Sequence, residues 1–141
     1  MKNDRLRIPI DQPYLYAIGL ATICFARLEW GAVWCAEKVQ PGYIHSVRTK
    51  TAGQIANDLI AIAATHPDAA KAASLAAAAA EFRRLVKRRN DLMHANPGTT
   101  GSGEQRLFRG GSEWSISMVE DLADEFATAD IDLNHHYHVI L

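Results

Sequence analysis

"EFRRLVKRRNDLMHANPG" occupies residues 81–98 and closes an alanine-rich stretch. At 100° per residue, Phe82, Leu85, Val86, Leu92 and Met93 fall on one side of a helix, the pattern of a packing face. Arg89 falls in the middle of that face, while Arg83, Lys87, Asn90, Asp91 and His94 gather opposite. Pro67 suits the first helical position and Asp68 favours its positive end, so the spacing predicts one helix from there to about Ala95. Asn96-Pro97-Gly98 ends it.

Working outward, a long first helix is expected from about Pro13 to Val39, stopped by Pro41-Gly42. Thr51-Ala52-Gly53-Gln54 has the capping-box pattern and opens a second helix to about Ala64. "RLFR", Gly110-Gly111 and "SEWSI" predict a small β-hairpin with Leu107 opposite Trp114. Ser117-Met118-Val119-Glu120 reads as a second capping box. It opens a last helix whose stripe is Val119, Leu122, Phe126, Ala129, Leu133, Tyr137 and Ile140. The expected fold is all-α: an antiparallel four-helix bundle with the hairpin inserted before the last helix. Residues 1–141 make a single domain, with residues 1–11 as a flexible arm and "GTTGSG" (98–103) as a mobile loop after His94.

The bulk chemistry narrows the function. A formal net charge of −1 gives no global attraction to nucleic acid or anionic lipid, so anion binding requires a local cluster. Cys24 and Cys35 lie eleven residues apart in one helix, about 16 Å, too far to bridge, and read as reduced. The apolar run at 14–26 is too short to span a bilayer and no signal-peptide pattern precedes it, which predicts a cytoplasmic protein without a membrane partner.

Two charges sit where a core is expected. On the first helix, Leu15, Ile18, Thr22, Phe25, Ala32 or Val33, and Ala36 form a stripe centred on Glu29. A charge on a packing face requires a partner, and Glu29 and Arg89 have opposite signs, so the two are expected to meet. One reading is an ion pair that fixes helix register; another is a site. The first helix is also apolar nearly all round, which places it at the centre of a fold or in a subunit interface.

Arg89 and His94 are about 140° apart on a straight helix, whereas Asn90 and His94 share a face. A site using both Arg89 and His94 therefore lies in a groove along the helix edge, completed by a second subunit. With "RNDLMH" at 89–94, the chain resembles the HEPN superfamily of small helical proteins, whose signature is Arg, four to six residues, then His, usually with a polar residue directly after the Arg. "RLEW" around Glu29, the "TAGQIANDL" helix and "WSISMVEDL" occur in similar order in HEPN-like chains.

The resemblance implies a homodimer with both motifs facing one cleft and a metal-independent endoribonuclease of the toxin or defence type, using no cofactor, with an antitoxin protein as a candidate partner. It places Arg89, Asn90 and His94 in the active site; Glu29 is added from the helix wheel. Family members silenced by a nucleotidyltransferase often carry Tyr two residues after the His, and this chain has Asn96 there. A HEPN-like dimer that only binds RNA or a protein is the alternative. The residue types suit RNA, which carries its own nucleophile. Histidine trades protons near neutrality, the planar guanidinium matches charge building on phosphorus, and Asn90 can orient phosphate or imidazole. Arg83, Arg84, Lys87 and Arg88 are candidates to steer the RNA backbone. Trp30 and Trp34 read as packing residues, and "HHYH" (135–138) as a solvated helix end.

Overall fold

The computed structural model describes residues 2–141. It is mostly helical: α1 (Gln12–Val39), α2 (Ala52–Ala63), α3 (Ala69–Met93) and α4 (Ile116–His135), with short 3-10 turns at Asp4–Arg7 and Tyr43–Thr49. Between α3 and α4 lies a three-stranded antiparallel sheet, β1 (Asn96–Thr99), β2 (Gln105–Arg109) and β3 (Ser112–Trp114), in that order.

Local chemistry explains the boundaries. The Asp11 carboxylate caps α1 by accepting from the Tyr14 amide, and Gly42 leaves the helix with a left-handed φ of 97° that favours glycine. Thr51 and Gln54 form the expected reciprocal box at α2. Two starts differ from expectation by two residues. Asp68, not Pro67, marks the start of α3 by capping the Lys71 amide. Ser115, not Ser117, caps α4 by accepting from the Met118 amide.

The hairpin has the expected register, Leu107 opposite Trp114. The third strand was not expected. Residues 96–99 pair along β2, Asn96 opposite Phe108 and Thr99 opposite Gln105, so the first two residues of the expected mobile loop, Gly98 and Thr99, belong to an edge strand. Pro97 is tolerated there because an edge strand leaves amides unpaired. Gly98 is required by contact, since a Cβ would lie 2.8 Å from the Phe108 ring. The remaining turn is tied by Glu104, which accepts from Ser102 Oγ at 2.8 Å and whose amide donates to Thr100 Oγ1 at 3.1 Å.

Helix directions also depart from the antiparallel bundle. Tyr14 bonds the carbonyl of Trp114 and Cys35 that of Leu133, so α4 runs the same way as α1. α3 runs against both, with Ser74 beside His136 and Arg84 beside Glu125. The sheet makes this possible by carrying the chain back before α4 begins. It is locked to α1 by Tyr14, whose hydroxyl donates to Trp114 O at 2.7 Å and accepts from the Leu107 amide at 3.1 Å. Buried Arg106 adds an ion pair with Asp11 at 2.6 Å, so the end of the expected flexible arm is anchored; Met1 lies outside the described residues.

The core joins Tyr14, Phe25, Leu28, Leu59, Phe82 and Phe126, with Phe25 packed edge-on against Phe126. Cys24 and Cys35 are free thiols, and burial pushes that of Cys35 up to about 12. Within "HHYH", His135 and His138 are exposed but His136 is buried. Asp132's carbonyl can only accept, so His136 Nδ1 donates to it, and Nε2 is hydrogen-bonded with Ser74 Oγ at 2.8 Å. This contact ties the chain's end to α3. The expected stripe of α1 is buried at Phe25, Ala32, Val33 and Ala36, but toward the N-terminus Tyr14, Ala17 and Ala21 face inward in place of Leu15 and Thr22, which are exposed. By length and composition the whole of α1 is able to cross a membrane, unlike the 14–26 run alone, and 33% of its most apolar window is buried.

Candidate functional site

Arg89 lies in the apolar seam between α3 and α1, half-buried, with its guanidinium carbon 4.8 Å from the centroid of the Phe25 ring. A ring face is attractive to a cation, which explains how the seam tolerates the charge. Arg89 Nη1 donates to Asn90 Oδ1 at 3.2 Å, so consecutive residues on the helix form one polar unit. Arg89, but not Asn90, lines a cavity of about 120 Å³ together with Glu29, Phe25, Thr22 and Met93, among others.

Glu29 and Arg89 therefore share the cavity, but the expected direct ion pair does not form: among the described residues none within 4.0 Å joins them. Burial raises the Glu29 carboxyl above the ordinary glutamate range, and the Arg89 charge pulls it only part of the way back. The carboxylate is thus held near the guanidinium without neutralising it, which leaves the Arg89 fork able to take another anion.

His94 stands at the C-terminal end of α3, exposed, and its amide still bonds the Asn90 carbonyl at 2.9 Å. Its own carbonyl accepts from Arg109 Nη1 at 3.3 Å, and Arg109 Nε lies 3.8 Å from Asp91 Oδ1. The sheet therefore fixes the backbone that carries the imidazole. Arg109 was not anticipated from sequence, because the signal lies in strand pairing: β1 folding back on β2 is what returns Arg109 to His94. The His94 side chain does not line the Arg89 cavity.

The four proposed RNA-steering cations divide into two kinds. Arg84 is clamped by Glu81 at 2.7 Å and Glu125 at 2.6 Å, and Arg88 lies over the Trp114 ring at 5.1 Å. Arg83 and Lys87 are exposed and without an ion pair among the described residues. They share a helix face with Asn90 and His94, at the spacing i, i+4, i+7, i+11. No cluster of three His, Cys, Asp or Glu side chains able to hold a metal ion occurs among the described residues. No family model, characterised protein or solved structure matches the chain.

Proposed function

We propose that the protein is a metal-independent endoribonuclease of the toxin or defence type. On this reading it is a HEPN-like helical protein that acts as a homodimer on RNA in the cytoplasm and is restrained by an antitoxin. The observation that carries the reading is a guanidinium seated on an apolar seam, hydrogen-bonded to Asn90 and not neutralised by Glu29, one turn before an exposed histidine.

The chemistry needs only those groups. The RNA 2′-hydroxyl attacks phosphorus: the 2′-O–P bond forms, the P–O5′ bond breaks, and the products are a 2′,3′-cyclic phosphate and a 5′-hydroxyl. His94 takes the 2′-hydroxyl proton, and an imidazolium returns one to the leaving 5′-oxygen. Arg89 holds the charge that builds on the non-bridging oxygens, and Asn90 keeps the fork aimed. Glu29 is a positioning residue that acts through Arg89. Arg83 and Lys87 lead the backbone toward His94, while Arg84 and Arg88 contribute less because their charges already have partners.

Because Arg89 and His94 of one chain point about 140° apart, the working site takes one group from each of two copies. A second reading, a non-catalytic HEPN-like dimer that binds RNA or a protein, is favoured by one observation: His94 lies outside the Arg89 cavity. Incubation with RNA in excess chelator separates the two. Turnover lost in both Arg89→Ala and His94→Ala supports the enzyme, and unchanged RNA affinity with no product in any form supports the binder.

A further inference from the structure

The face of α1 opposite the core is also largely apolar. Tyr16, Leu20, Ile23, Arg27, Trp30 and Trp34 follow a 4-3-4-3-4 spacing, the seam of a coiled coil. Five of the six are large apolar side chains left in the open, with Tyr16 72% and Ile23 61% exposed. The seam runs about 27 Å along the helix, and a continuous apolar stripe of that size on a soluble surface marks an interface. Arg27, the sole charge in it, leans aside toward Asp130, with Nε 3.5 Å from Oδ2.

We infer that this face pairs with the same face of a second copy, the two α1 helices running antiparallel about a two-fold axis near residue 25. Two features select that arrangement. The spacing reads the same in both directions, so antiparallel pairing sets Tyr16 against Trp34, Leu20 against Trp30 and Ile23 against Arg27 with no register error. The flanking charges are polarised as well. Beside Tyr16 and Leu20, a cavity of about 470 Å³ is rimmed by Glu120 and Asp124, neither with an ion pair among the described residues. At the other end, Trp34, Tyr137 and His138 line a cavity of about 210 Å³, with Lys38 Nζ 4.6 Å above the Tyr137 ring. Antiparallel pairing brings the Glu120 and Asp124 end of each copy level with the other's Lys38, whereas parallel pairing about an axis along the helices puts the two α4 flanks on opposite sides and leaves these charges unmatched.

The symmetry has a consequence for the site. A two-fold axis perpendicular to antiparallel helices keeps each flank of α1 on its own side, so both α3 flanks face the same way. Arg89 lies over Phe25, at the level of the axis but on the face of α1 opposite the seam, so the pairing leaves both Arg89 cavities uncovered. The pairing does not rest on the ribonuclease reading.

Sedimentation of the purified chain is expected to show a dimer. Leu20→Glu with Ile23→Glu is expected to weaken it roughly 30-fold or more, with helical content unchanged because both positions are exposed. In a Cys24→Ala background, Leu20→Cys combined with Trp30→Cys is expected to form an intermolecular disulfide on mild oxidation, and Leu20→Cys alone is not. A monomeric wild type, a dimer indifferent to the glutamates, or cross-linking by Leu20→Cys alone would each overturn the inference. So would a monomer that sediments with phosphatidylcholine vesicles, which would assign the face to a lipid surface. Cyclic-phosphate ends from the same preparation report on the ribonuclease reading separately.

Discussion

Replacing Glu29 with glutamine is expected to make the protein more stable at neutral pH and less active. Glu29 is half-buried, its carboxyl is raised by burial, and no ion pair within 4.0 Å offsets the desolvation. Glutamine keeps the shape and removes the charge. Partial exposure screens the penalty, so the gain is roughly 0.5–1 kcal/mol, or about 2–4 °C in Tm for a chain of this size. The sign with pH follows from the raised value. A folded-state carboxyl that holds its proton more tightly than the unfolded one makes the protein lose stability as pH rises from the ordinary glutamate value through the folded one. The advantage of Glu29→Gln is therefore full near neutrality and absent below the ordinary glutamate range, where both states of the wild type are protonated. Thermal unfolding followed by circular dichroism at about pH 4 and about pH 7.5 reads this directly. A variant less stable than wild type near neutrality would mean that Glu29 and Arg89 form a net stabilising pair and that the half-buried carboxylate is no cost to the fold.

Arg89→Ala and His94→Ala are each expected to lower RNA cleavage by about 10²–10⁴-fold, with the far-ultraviolet spectrum unchanged, as single-turnover assays will show. Gly98→Ala forces a Cβ against the Phe108 ring at 2.8 Å and should destabilise by about 1–3 kcal/mol; Phe108→Leu in the same chain should recover part of that in urea titrations. Tyr14→Phe leaves the Leu107 amide and Trp114 carbonyl without their shared partner, an expected loss of about 1–3 kcal/mol by the same titration.

The parts of this fold that were legible in sequence are those written in local chemistry. Thr51 and Gln54 announce α2, Gly110-Gly111 sets the hairpin register, and the stripe from Val119 to Leu133 is buried as its spacing requires. The parts that were not legible depend on partners distant in sequence. Pro97 and Gly98 look like a stop and a loop until β2 is beside them. Ser115 outcompetes Ser117 as a cap because Tyr14 pins Trp114 just ahead of it. His136 is indistinguishable from its neighbours until the π turn that follows α4, His136–Ile140, sets it beside Ser74. The wheel of α1 misled for a different reason. A helix apolar on both faces carries little directional signal, and here Tyr14, Phe25 and Leu28 turn inward with Ala17, Ala21, Ala32 and Ala36, while Tyr16, Leu20 and Ile23 remain outside. The candidate site was legible as a set of residues, Arg89 on the seam near Glu29, but not as a geometry: the missing ion pair, the Asn90 contact and the support from Arg109 all required coordinates.

The most direct test is to incubate wild type, Arg89→Ala and His94→Ala with mixed RNA in excess chelator and to determine the chemistry of the new ends. The expected result is 2′,3′-cyclic phosphate and 5′-hydroxyl ends from the wild type alone. Intact RNA with the wild type, or equal cleavage by all three proteins, would contradict the assignment of Arg89 and His94 to phosphodiester chemistry.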